Sequence, residues 1–327
     1  MIFKEKEKCD NASMNTKTTS SSPPRFTVII PIFNGAKSVK RAIDSVLSQT
    51  FLDFELLAVN DGSTDSTIEI LNGYNDKRLR ILSHKNNRGQ NAALNLGLAV
   101  GKGMVFSFLD DDDIWLSTYL FKVNQAFESD PSIDVVYTRL VNGPKWSIQG
   151  RNIYGDVLNQ GTMSAMISVN VRKRCFNLLG NFDESYSMSQ DDDFCFKLAR
   201  HFHIKLIPER LALIIGDSNS MTSKRVNVAK GFERLYKDYR ADILKYCGYR
   251  TLSKHHFILA ELYVQSARYL KGIQKYILAH YYLLKKPGKF LPITLKNVFF
   301  WEFSMLISIL KGLKYLISHP HHFIKKR

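Results

Sequence analysis

From Phe26 to about residue 110, short runs of β-branched and aromatic residues alternate with longer stretches of helical periodicity, which restricts the chain to few architectures. A strand, a helix and a second strand in succession require a crossover, so the strands lie parallel and the helices cover the sheet. Strands are expected at 26–31, 54–59, 78–82 and 104–109. Between the first two, the stretch 36–49 places Val39, Ala42, Ile43, Val46 and Leu47 on one helical face, and 66–74 and 90–100 read alike. The expected fold class is α/β, a mostly parallel sheet with helices on both faces. Ligands of such sheets bind outside the carboxyl ends of the strands, so the polar residues after each strand are the ones to inspect.

The first strand ends in Pro31-Ile32-Phe33-Asn34-Gly35, which alone reads only as a strand end. The second runs into Asn60-Asp61-Gly62-Ser63-Thr64-Asp65. Here Asp61 sits where a carboxylate can accept the N3 hydrogen of a uracil ring, while Thr64 or Asp65 suits the cap of the next helix. A calcium loop does not fit, because Asn72 occupies the twelfth position, where such a loop carries Glu. The fourth strand delivers Asp110-Asp111-Asp112-Asp113. Adjacent carboxylates repel unless a cation neutralises them, and an oxygen-rich site suits Mg2+ or Mn2+ with phosphates completing the shell. A solvated acidic turn is the competing reading. A second cluster, Gln190-Asp191-Asp192-Asp193, lies just before an apparent helix at 194–198. One of its carboxylates could take a proton from a hydroxyl, although acids also favour helix N-termini for dipole reasons alone.

The tail is different in kind. The formal net charge is +16, and residues 225–327 carry 20 Lys and Arg against 5 Asp and Glu, so nearly all the excess lies there. The stretches 252–270 and 273–284 read as a helical hairpin broken near Gly272 and ended by Pro287-Gly288, with a last helix at about 292–318. Over 296–316, Lys296, Ser304, Ser308, Lys311 and Lys314 share one arc, and Phe299, Trp301, Phe303, Leu306, Ile307, Leu310 and Leu313 fill the rest. Such a face either lies on a membrane surface or packs on the α/β unit. Spanning is not expected, since Lys296, Glu302 and Lys311 interrupt the roughly 20 apolar residues a crossing needs. Nucleic acid is not an expected partner, because the basic residues are mixed with a large apolar face and match no reading module. Residues 1–24 read as a disordered leader. The scattered Cys9, Cys175, Cys195 and Cys247 suggest neither a zinc site nor a disulfide framework and suit a reducing cytoplasm.

In order, the stretches VIIPIFN, SVLSQT, VNDGSTDST, NRGQNAALNLGL, FLDDDDIW, GNFDE and QDDDF resemble the family 2 glycosyltransferases, inverting enzymes of the GT-A fold, over about residues 26–200. The resemblance implies that 25–224 is the catalytic domain and 225–327 a basic helical appendage. It also implies that Asp61 binds the nucleobase with Pro31 and Phe33 lining that pocket, and that Asp110 and Asp112 bind the divalent metal, Mn2+ or Mg2+. Asp111 would reach the ribose, Asp191 would be the catalytic base, and Asp183 of GNFDE would lie on the acceptor side. The donor would be a nucleoside-diphosphate sugar and the acceptor a glycan or lipid-linked hydroxyl. Cell-surface polysaccharide synthesis is the expected setting, in the cytoplasm or peripherally on the inner membrane face.

Three departures stand out. Gln190 replaces a frequent Glu beside the base. In the stretch 215–222, where relatives often carry a metal-binding His, only Asp217 or Asn219 could serve. The Q-x-x-R-W motif of processive synthases is absent, which favours single-sugar transfer. The competing functions are a nucleotide-sugar-binding protein without transferase activity and a sugar-phosphate nucleotidyltransferase. The latter would want a Gly-rich loop that Ile32-Phe33-Asn34-Gly35 does not supply.

Overall fold

A computed structural model of the protein describes residues 22–142, 150, 153–160, 165–186, 188–215 and 225–285. The four expected strands are present as β1 (Phe26–Ile32), β2 (Phe54–Asn60), β3 (Leu79–Ser83) and β4 (Val105–Phe108). They pair in parallel in the order β3-β2-β1-β4, crossed by α1 (Val39–Leu47), α2 (Thr67–Asn72) and α3 (Gln90–Val100). β1 and β2 are buried along their whole length because helices cover both faces. Pro31 is tolerated in central β1 because β4 pairs only as far as Ile29, so the missing N–H falls beyond that ladder.

The sheet is mixed beyond β4, which the sequence pattern did not anticipate. After β5 (Ile114–Trp115) and α4 (Tyr119–Ser129) come β6 (Val135–Leu140), α5 (Tyr154–Gln160) and β7 (Val169–Arg172). The short α6 (Phe176–Leu179), then α7 (Gln190–His201) and β8 (Ile204–Leu213), follow. The full order is β3-β2-β1-β4-β7-β6-β8-β5, with β4–β7, β6–β7 and β5–β8 antiparallel and β6–β8 parallel. Buried polar groups pin this half: Ser107 donates to Asn170 Oδ1 at 2.6 Å, and Asn170 Nδ2 reaches the Val136 carbonyl at 3.2 Å.

The helical region comprises α8 (Arg225–Asp238), α9 (Arg240–Tyr246), α10 (Tyr249–Gln265) and α11 (Tyr269–Lys285). Leu235, Tyr236, Ile243, Leu252 and Leu259 share one apolar cluster with Val157, Leu158 and Phe196, so these helices pack on the sheet's cover. The hairpin breaks at Ala267, φ +57°, and not near Gly272. Gly272 lies inside α11, where a Cβ would come within 2.6 Å of Val264 Cγ2, so its role is close helix approach. The outer face of α11 leaves Leu270, Ile273, Ile277, Tyr281 and Leu284 exposed in one row. Among the described residues no helix is long and apolar enough to cross a membrane. The expected leader up to residue 21, the expected helix at 292–318, and Asp217 and Asn219 lie outside the described residues.

Candidate active site

The loops after β1 and β2 are laced together. Asn34, at φ +53°, accepts the Thr64 N–H at 2.8 Å through Oδ1, while its own N–H reaches Ser63 Oγ at 3.0 Å. Asp65 Oδ1 accepts the Thr67 N–H at 3.1 Å just before α2, whose N-cap residue is Ser66 rather than Thr64 or Asp65, and Oδ2 accepts the Ala36 N–H at 3.1 Å. Between these loops Asp61 is 2% exposed. It accepts the Gly89 N–H at 2.7 Å, the Arg88 N–H at 3.0 Å and His84 Nδ1 at 2.6 Å. Gly62, at φ +69°, lies against the Asn86–Asn87 backbone with no room for a Cβ. Phe33 projects into solvent at the end of β1 while Pro31 is buried within it.

The acidic turn after β4 meets this clasp. The Phe33 N–H faces the Asp111 carboxylate, which lies so close to Gly35 that a Cβ there would push it aside. Burial and the neighbouring Asp112 push Asp111 up to about 7. Asp110 is raised well above the carboxylate range by burial and by Asp191, Asp113, Asp112 and Asp111. Arg41 holds the Asp112 carbonyl at 2.7 Å. Asp113 faces away and accepts the Ile215 N–H at 2.9 Å, tying the turn to the end of β8.

Carboxylates that cannot all ionise together suit a hard divalent cation. No group of three or more His, Cys, Asp or Glu placed to hold a metal occurs among the described residues, so Asp110 and Asp112 would share such an ion with ligand oxygens.

The second cluster forms the first turn of α7, and does not precede the helix as expected. Ser189 enters it at φ +62°, a conformation that non-glycine residues adopt at a cost. Asp191 Oδ2 accepts the Met166 N–H at 3.1 Å, and Oδ1 points inward without a hydrogen-bond partner. Burial pushes Asp191 up to about 6, which matches a proton acceptor working near neutral pH. Asp192 is buried with an unpartnered Oδ1 and raised well above its usual range by burial, Asp191 and Asp193. Asp193 turns to Lys197 at 2.7 Å and Tyr239 at 2.7 Å.

Asp183 holds its own turn. It accepts from the Ser185 hydroxyl and N–H and pairs with Arg234 at 2.9 Å, and these bonds keep it below the usual carboxylate range. Asn91 and Asn95 of α3 grip the same turn through the Asp183 and Phe182 carbonyls. The structure thus brings together the ends of β1, β2 and β4 with the start of α7, and keeps the Asp183 carboxylate occupied at the margin. Sequence reasoning missed His84, Arg88 and Gln90. Applying the strand-tip rule to β3 would have flagged His84; Arg88 and Gln90 lie within the stretch NRGQNAALNLGL, which was read as a motif without assigning its residues.

Comparison with known proteins agrees with this layout. The chain is 31% identical over 213 residues to a chondroitin synthase of Escherichia coli, covering 61% of this chain and 29% of that protein. The S. aureus TarS fragment 1–349 in complex with UDP-GlcNAc superposes with a TM-score of 0.54 at 18% identity, covering 80% of this chain and 92% of the fragment. The mannosyltransferase PcManGT from Pyrobaculum calidifontis, in complex with GDP-Man and Mn2+, gives 0.53 at 16% identity, covering 89% and 87%. These structures share the fold, a GT-A-type mixed sheet. The model for glycosyl transferase family 2 matches residues 27–190, half of the chain, from β1 to the residue before Asp191, and the chain therefore belongs to that family.

Proposed function

We propose that the protein is an inverting glycosyltransferase that moves a sugar from a UDP-sugar to a hydroxyl of a glycan or lipid-linked acceptor, in the synthesis of a cell-surface polysaccharide. The carrying observation is Asp191. It is a carboxylate with a pKa near 6 and an unpartnered oxygen, close enough to Asp110 to raise the latter's pKa. In this reading Asp191 takes the proton of the acceptor hydroxyl as its oxygen bonds to the anomeric carbon. The bond from that carbon to the diphosphate oxygen breaks on the opposite face, so one displacement inverts the configuration. Asp110 and Asp112 would hold Mn2+ or Mg2+, which when bound supplies positive charge for the diphosphate. Asp61 faces the nucleobase, Pro31 and Phe33 border it, and Asp111 reaches the ribose. Asp183 shapes the acceptor side through its turn without touching the acceptor.

The membrane half of the reading rests on the exposed row of α11 and the basic residues of the tail. Peripheral attachment to the inner membrane face would bring the site to lipid-linked acceptors. Full-length protein is expected to sediment with anionic vesicles; equal sedimentation by a folded chain ending at about residue 290 would remove the tail's role.

The decisive experiment incubates the chain with labelled UDP-sugars and Mn2+. UDP release that requires the metal and disappears in Asp191→Asn supports transfer. Binding without release supports a nucleotide-sugar-binding protein instead.

A further inference from the structure

Two glutamines join the acidic turn to the helix that carries Asp191. Gln90, the first residue of α3, donates from Nε2 to Asp110 Oδ1 at 3.0 Å, and its Oε1 accepts from Gln190 Nε2 at 2.9 Å. Gln190 opens α7, one residue before Asp191. Gln90 thus turns its amide NH2 toward Asp110 and its carbonyl toward Gln190. Gln190 then commits its own NH2 to Gln90, which leaves its Oε1 inside the protein without a hydrogen-bond partner. Asp191 Oδ1, on the next residue, is in the same condition. A buried acceptor left unpaired weakens the fold. With Asp192 Oδ1, three such acceptors on successive residues mark a place where something else completes the set.

The transferred ring must lie between the leaving diphosphate and the attacking hydroxyl. In the function proposed above, on which this inference rests, Asp110 stands on the first side and Asp191 on the second. The Gln90–Gln190 relay connects the two. We propose that Gln190 Oε1 accepts a hydrogen bond from a hydroxyl or amide N–H of the transferred sugar. Gln90 is the positioning residue that holds Gln190 in the orientation this requires. A neutral amide at position 190 can read a donor group without adding a further negative charge beside Asp110 and Asp191. The donor sugar is then one with a hydrogen-bond donor at the position Gln190 faces, and a deoxy analogue at that carbon is rejected because the carbonyl is left unpaired.

The test compares binding of UDP alone with binding of a UDP-sugar, by calorimetry with Mn2+. The probe is whichever of UDP-glucose, UDP-galactose, UDP-N-acetylglucosamine or UDP-glucuronic acid the wild-type chain binds. Gln190→Ala is expected to bind UDP as wild type does and the UDP-sugar about tenfold more weakly, the scale of one lost hydrogen bond. Gln90→Met, similar in length but without the amide, is expected to weaken the UDP-sugar in the same direction. Unchanged thermal midpoints show that both variants are folded. Equal losses for UDP and UDP-sugar, or no loss in Gln190→Ala, overturn the sugar contact. A loss confined to Gln190→Ala overturns the positioning role of Gln90. Failure of the wild-type chain to bind any UDP-sugar is a separate result, read before any variant, and counts against the proposed function itself.

Discussion

The carboxylates at the tip of β2 and those at the tip of β4 have the same residue chemistry and opposite circumstances. Asp61 and Asp65 are surrounded by donors from four different segments, and their bonds hold the loops in place. Asp110, Asp111 and, across from them, Asp191 and Asp192 are crowded with like charge, and two of them keep an unpartnered oxygen. A satisfied carboxylate stabilises the fold; an unsatisfied one is held in place by the rest of the fold and is available for chemistry.

Substitutions can break or sharpen this contrast. The largest expected effect is Asp191→Asn, which should lower transfer roughly a thousandfold, within the range for loss of a general base. Its thermal midpoint should not fall, since the amide removes a poorly solvated charge; a marked destabilisation would place Asp191 with the structural carboxylates. Asp61→Ala should do the reverse first, costing about 3 kcal/mol in denaturant unfolding as the Arg88 and Gly89 N–H groups lose their acceptor. Third, Mn2+ with UDP should raise the melting temperature of the wild-type chain, by about 2.7 kcal/mol of added stability at a hundred times the Kd. The Asp110→Asn/Asp112→Asn double variant should lose that gain.

The smallest effects are those of pH. Asp191 is raised, so the rate should fall as pH drops through about 6 and the base becomes protonated. Glu55 is the satisfied counterpart. Burial raises it, but bonds from Lys102 N–H, Thr27 and Arg80 outweigh that and leave it below its ordinary 4.5. Its stabilisation is present above pH 4.5 and is lost only as pH falls through the lower folded value. Glu55→Gln should therefore cost about 1 kcal/mol at pH 7 and less in acid, measured by urea midpoints.

The parallel half was legible because its strands are short, largely apolar runs set between stretches of helical periodicity, and the strand-tip rule points at Asp61 and Asp110 without any knowledge of packing. The other half was not. β5 is two residues long and pairs with Ala212 and Leu213, about a hundred positions away, so no local periodicity announces it. Gly272 misled for a related reason, since a glycine that permits helix contact looks in sequence like one that ends a helix. The first turn of α7 was read as loop because Gln190 to Asp193 have no apolar spacing of their own. Gln90 was invisible as a site residue because only the fold brings it to Gln190.

The wide sequence separation of these contacts also has a consequence during synthesis. β1 to β4 can pair as soon as they leave the ribosome, and with them the clasp around Asp61 is complete by Gly89. The acidic turn is different, because the Asp113 bond to Ile215 and the antiparallel partners of β4 and β5 do not yet exist. Until about a hundred further residues have been added, a nascent chain carries a half-sheet with an unpaired β4 edge and a loose run of carboxylates. Contacts of such range form late and slowly. The loops around Asp61 would therefore take shape on a growing polypeptide well before the acidic turn is tied down.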